Sequence, residues 1–167
     1  MKRVLAMGLL LTVMAPIAAK GGAESWRPPS AAELGSASDQ KWRAVDPDRF
    51  LVVKGDFDGD GKPDEARLMV RGDGKAYAIF VKLASQPEPQ KLDEFPDVSK
   101  LPPLGIKRVV PDRYPTACAR GLDCAEDEPQ YITLRHDGID YFRHDQFNRY
   151  YYWNDSRHGF AQVGIND

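Results

Sequence analysis

Between Glu65 and Leu83 the sequence alternates with a period of two. Ala66, Leu68 and Val70 are interleaved with Glu65, Arg67 and Arg71. After the turn Arg71-Gly72-Asp73-Gly74, residues Tyr77, Ile79, Val81 and Leu83 take one face and Ala76, Ala78 and Phe80 the other. Successive side chains of a strand point to opposite faces, so this pattern demands paired strands with a buried face, not a helix. The apolar run Phe50-Leu51-Val52-Val53 just before it has strand length, and the three segments together predict an antiparallel meander.

The rest of the chain reads the same way. Ile106 to Val110 is a further strand, and Tyr150-Tyr151-Tyr152-Trp153 is one with aromatics on both faces, expected to be buried on both. Phe160 to Val163 follows a turn at Asn154-Asp155-Ser156. Tyr131–Leu134 and Ile139–Phe142 flank Asp137-Gly138, the strongest short hairpin signal; a two-residue turn there sets Leu134 opposite Tyr141 and Arg135 opposite Asp140. Residues 86–103 carry Pro87, Pro89, Pro96, Pro102 and Pro103, which predicts a surface loop, and 111–130 reads as irregular. Near the start, Ser30 and Glu33 form a capping-box pattern for a short helix ended by Gly35, and a second short helix is expected over 39–44 with Trp42. The expected fold class is mainly β with a minor α part: an antiparallel meander or sandwich with one or two short N-terminal helices.

Residues 1–19 have the layout of a secretory signal peptide. Lys2 and Arg3 precede the apolar run Val4–Met14, and small residues follow at Ala15, Ala18 and Ala19, with cleavage after Ala19 or as late as Ala23. The run is too short for an ordinary membrane span, and no later segment is apolar enough to make one. The expectation is a single domain over 24–167, soluble in the periplasm or outside the cell. Loss of Lys2 and Arg3 moves the net charge from -2 to about -4, which argues against nucleic acid as a partner. In an oxidising compartment Cys118 and Cys124 default to a disulfide; closing so short a loop stabilises by roughly 2 kcal/mol. Their five-residue spacing does not match the two-residue spacing of redox pairs, and a two-cysteine metal site would have only Asp123, Glu126 and Asp127 to complete it.

Chemistry concentrates in Asp56-Phe57-Asp58-Gly59-Asp60-Gly61-Lys62-Pro63-Asp64-Glu65. Aspartates stand at relative positions 1, 3, 5 and 9 with glycine at 6, and the ten residues hold five acids against one lysine. Carboxylates held about 5–6 Å apart repel by roughly 1–3 kcal/mol per pair, so a folded loop needs a cation to keep them together. Calcium takes six to eight hard oxygens, and alternate residues of a tightly wound loop can converge on it. With no neighbouring His or Cys in the stretch, calcium is expected before zinc or copper. Magnesium, which insists on strict octahedral geometry, ranks below it. The expected ligands are Asp56, Asp58, Asp60 and Asp64, with the carbonyl of Lys62. An EF-hand does not fit, because Arg67 stands where its bidentate glutamate belongs and the flanks read as strands.

The stretch from Gly55 to Asp64 instead resembles the calcium loops of FG-GAP repeats, found in integrin α-chain propellers and many secreted bacterial proteins. The resemblance covers roughly Leu51 to Val70 in a single copy, so it implies a calcium loop between two antiparallel strands and not a full propeller. It implies Asp56, Asp58, Asp60 and Asp64 as side-chain ligands and Lys62 as the carbonyl ligand.

Other constellations are weaker. Arg-His-Asp occurs at 135–137 and 143–145, but in the hairpin register His136 and His144 lie on opposite faces; His158 adds no metal spacing. No nucleophile elbow, zinc-protease or phosphate-loop motif is present. The sequence thus favours an exported calcium-binding protein with a structural ion, an interaction protein of the cell envelope with a protein or glycan partner. Its alternatives are an envelope polysaccharide or peptidoglycan hydrolase using acids such as Asp137, Asp140 or Asp145, and a secreted inhibitor or immunity-type protein presenting the loop around Gly121.

Overall fold

The computed structural model describes residues 24–35, 46, 48–122, 127–143 and 146–166. The expected signal peptide and the helix over 39–44 lie outside them. The alternating stretch forms the first sheet: β1 (Trp26–Arg27), β2 (Val52–Gly55), β3 (Asp64–Arg71), β4 (Tyr77–Lys82) and β5 (Gln90–Phe95). Its order is β1-β3-β4-β5, and β2 pairs with the other half of the β3 edge that β1 occupies, all antiparallel. The chain continues through β6 (Leu104–Val109), β7 (Arg113–Pro115), β8 (Tyr131–Thr133), β9 (Gly138–Arg143), β10 (Phe147–Asn154) and β11 (Gly159–Asn166). The second sheet runs β11-β10-β9-β6, and β7 with β8 makes a separate two-stranded ribbon.

The pleat decides what is buried. Leu68, Val70, Ile79 and Val81 of the first sheet share a core with Ile106, Ile139, Tyr141 and Tyr151 of the second, each at most 2% exposed. The opposite face of the second sheet contributes Val109, Val163 and Ile165 to a smaller core with Ile132 and Leu134. Tyr151 belongs to the first core, while Tyr150 and Tyr152 pack against the second. The aromatic strand is therefore packed on both faces, but only Tyr151 is fully buried, and Tyr150, Tyr152 and Trp153 stay partly exposed.

Four expectations are corrected. The strand expected from Phe50 starts only at Val52, because Phe50 takes a positive φ of 64° and turns the chain; its carbonyl accepts from the Ile106 amide at 2.8 Å. The proline-rich segment 86–103 contains β5, a half-buried polar strand, and a 3-10 turn at Val98–Lys100. The Ser30–Glu33 box does form, with the Ser30 amide bonded to Glu33 at 2.8 Å and the Glu33 amide to Ser30 Oγ at 3.4 Å, but it closes a turn and no helix. The Asp137-Gly138 hairpin does not exist: β8 pairs with β7, and β9 pairs with β6 and β10. Its physical reason is that Asp137 is engaged elsewhere, by the acidic loop, while Gly138 serves close packing. A Cβ at Gly138 would lie 2.7 Å from the Leu134 side chain. Consequently Arg135 meets Asp155 at 3.6 Å, and Asp140 stands beside Lys107.

Candidate metal centre

The acidic loop joins β2 to β3, with its ends fixed by the pairing of Gly55 with Asp64. Phe57 anchors it, fully buried in the core between the sheets. Its neighbours Asp56 and Asp58 stay partly exposed. Short side-chain carboxylates bond to the backbone a few residues on and wind the loop tightly. The Gly59 amide donates to Asp56 at 2.9 Å and the Gly61 amide to the other Asp56 oxygen at 3.1 Å. The Asp60 amide donates to Asp58 at 3.2 Å and the Lys62 amide to Asp60 at 2.8 Å. Two left-handed glycines, Gly59 and Gly61 with φ of 78° and 79°, let the backbone take these turns without a Cβ clash.

Asp64 closes the loop from below, only 2% exposed. One of its oxygens accepts from the Phe57 amide and the other from the Ala84 amide, both at 2.8 Å. Burial pushes its carboxyl above the ordinary range; the amide donors oppose that, and the nearby Asp58 charge adds to it. Ser85 Oγ donates to Asp58 at 2.7 Å, so the turn after β4 also grips the loop.

The result is convergence. Carboxylate oxygens of Asp56, Asp58 and Asp64 lie within 4.8 Å of one another. Two ligands on opposite sides of a calcium ion are about 4.6–5.2 Å apart, so one ion can touch all three. Each carboxylate has about four acceptor sites, and the amide bonds leave some of them for a cation. The donor set is all oxygen, which suits a hard divalent ion. Asp60 stands outside this triad: one oxygen takes the Lys62 amide and the other faces Lys62 Nζ at 3.4 Å. Of the expected side-chain ligands, three are brought together and the fourth is held by Lys62.

Asp137, 81 positions from Asp56, and its neighbour His136 complete the framework around the loop. The Asp56 amide donates to Asp137 at 3.0 Å, and the Asp137 amide returns a bond to the Asp56 carbonyl at 3.1 Å. The His136 ring sits against Gly59, where a Cβ would come within 2.2 Å of it, and bonds Asp155 at 3.1 Å. The only sequence signal for this partnership is Asp137-Gly138, which reads as a turn.

The other singled-out residues lie apart. Asp140 is 1% exposed, with both oxygens bonded to Asn148 Nδ2 at 2.8 Å and Lys107 Nζ at 3.2 Å; burial pushes its carboxyl upward against these partners. It is a buried anchor of the second sheet. Asp145, His144 and Cys124 lie outside the described residues. Cys118 opens a 3-10 turn ending at the left-handed Gly121, and no cysteine among the described residues is free. Among the described residues no helix is long and apolar enough to cross a membrane. Comparison with family models, with curated proteins and with solved structures found no match for this chain.

Proposed function

We propose that this is an exported, calcium-stabilised binding protein of the cell envelope, with the ion held by Asp56, Asp58 and Asp64 in an FG-GAP-like loop. The observation that carries the reading is the approach of those three carboxylates to within 4.8 Å in a loop already wound by its own amides. Calcium is the ion favoured, because the triad is all oxygen and flexible loops suit its variable coordination. The role is structural: the loop ties β2, β3, the turn after β4 and the segment before β9 together, so an ion there holds several elements at once. Export follows from the pattern of residues 1–19, and a Cys118–Cys124 disulfide accords with an oxidising compartment. The partner is a protein or glycan of the envelope.

Thermal melts in calcium and in excess chelator test this. Binding to the folded state alone stabilises by RT ln(1 + [L]/Kd), about 2.7 kcal/mol at a hundredfold excess over Kd. A lower melting temperature in chelator, restored by calcium, is the expected result; identical melts for metal-free and calcium-loaded protein would overturn the reading.

A further inference from the structure

A cavity lies between the two sheets, lined by residues that the acidic loop does not use. Tyr77 and Phe95 of the first sheet and Tyr141 of the second form a continuous stack, with ring centroids 4.8 and 5.0 Å apart and interplanar angles of 19° and 24°. Phe147 meets Tyr141 edge-on at 5.5 Å. These rings wall a cavity of about 170 Å³. An apolar cavity of about 150 Å³ accepts a benzene ring, so this one has room for a six-membered ring with its substituent toward the open side.

Its polar lining is one-sided. The Tyr77 and Tyr141 hydroxyls, on residues 4% and 2% exposed, bond to each other at 2.9 Å. One proton makes that bond, and the second has no acceptor among the described residues, so the pair keeps a spare O–H donor. Burial raises both phenols, which keeps that proton in place. Lys100, Arg143 and Arg149 line the same cavity. Lys100 has Asp97 at 3.8 Å and Arg149 has Asp93 at 3.5 Å, whereas Arg143 has no ion-pair partner among the described residues. Apolar walls with a few convergent polar groups, set at the junction of two structural layers, are the usual form of a small-ligand site.

We infer that this cleft binds a small organic anion: a ring against the aromatic walls, with one carboxylate facing Arg143 and the spare phenol. Donors and cations outnumber acceptors there, so a neutral ring of the same shape loses the paired interactions. The test is a titration of the protein in calcium buffer with benzoate, and with benzyl alcohol as the neutral comparison, read from the NMR signals of the lining aromatic residues. Benzoate saturates and benzyl alcohol binds at least about tenfold more weakly, the worth of a charged hydrogen bond. Arg143→Gln, at an exposed position, weakens benzoate by about the same factor and leaves the melting temperature unchanged. Equal binding of the two compounds, an Arg143→Gln variant that binds like the parent, or no benzoate response up to about 20 mM, a very weak affinity, would each overturn it. Calcium binding by the acidic loop is measured separately and is untouched by any of these outcomes.

Discussion

The amide of Asp56 donates to the carboxylate of Asp137, and the amide of Asp137 donates back to the carbonyl of Asp56, at 3.0 and 3.1 Å. This reciprocal pair locks the first residue of the acidic loop to the segment entering β9, so a local motif of the first sheet is braced by the second. Removing the Asp137 side chain leaves a partly buried amide without its acceptor. Asp137→Ala is expected to cost about 1–3 kcal/mol in denaturant unfolding and to weaken calcium binding with it. A variant as stable as the parent would show that the brace is dispensable.

The two left-handed glycines of the loop differ in surroundings. Nothing lies within 4 Å of a Cβ at Gly61, whereas at Gly59 it would meet the His136 ring at 2.2 Å. Gly61→Ala is therefore expected to cost only the left-handed backbone penalty, about 1–2 kcal/mol. Gly59→Ala carries that penalty plus displacement of His136 from Asp155. Urea midpoints of the two variants give the comparison; equal losses would place His136 elsewhere in solution.

Phe57 sits between two acids yet is fully buried. Truncating it removes the anchor that holds the loop down and opens a cavity in the main core. Phe57→Ala is expected to lose about 3–5 kcal/mol, measured with calcium saturating so that loss of the ion is not confounded with loss of packing.

Glu33 provides a pH signature independent of the acidic loop. Hydrogen bonds from Arg27 at 2.7 and 2.8 Å, helped by Ser30 and opposed by partial burial, hold its carboxyl at about 2 instead of 4.5. The folded state thus binds this proton more weakly than the unfolded chain. Its contribution is complete above about pH 4.5 and is lost as pH falls toward 2. The stability gap between the parent and Glu33→Gln should be constant from pH 7 to 5 and close below that, in urea unfolding at several pH values. A gap that persists unchanged at pH 2 would contradict the ion pair.

Period-two alternation made β3 and β4 legible down to which residues face the core, because burial of one face leaves its imprint on every second residue. The acidic loop was legible for a related reason: the carboxylates are local, and Asp56, Asp58 and Asp64 converge within one short loop. Partners remote in sequence were not. Asp137-Gly138 carries a strong local turn signal, and its competing use, a pair of hydrogen bonds to Asp56, appears only when both sheets are assembled. Strand β5 was hidden by its polarity, since its stability comes from pairing with β4 and from Phe95 stacking between Tyr77 and Tyr141. Asp60 shows the reverse limit. Its spacing suits a ligand, but its two oxygens face the amide and the ammonium of Lys62, and it does not join the triad.

The proposal that Asp56, Asp58 and Asp64 share one calcium ion is open to calorimetric titration of the metal-free protein with calcium. The expected result is one saturable site, weakened at least about tenfold by Asp58→Asn and far less by Asp60→Asn, since affinity follows the charge of the ligands that touch the ion. No heat of binding at millimolar calcium, or a greater loss from Asp60→Asn than from Asp58→Asn, would contradict it.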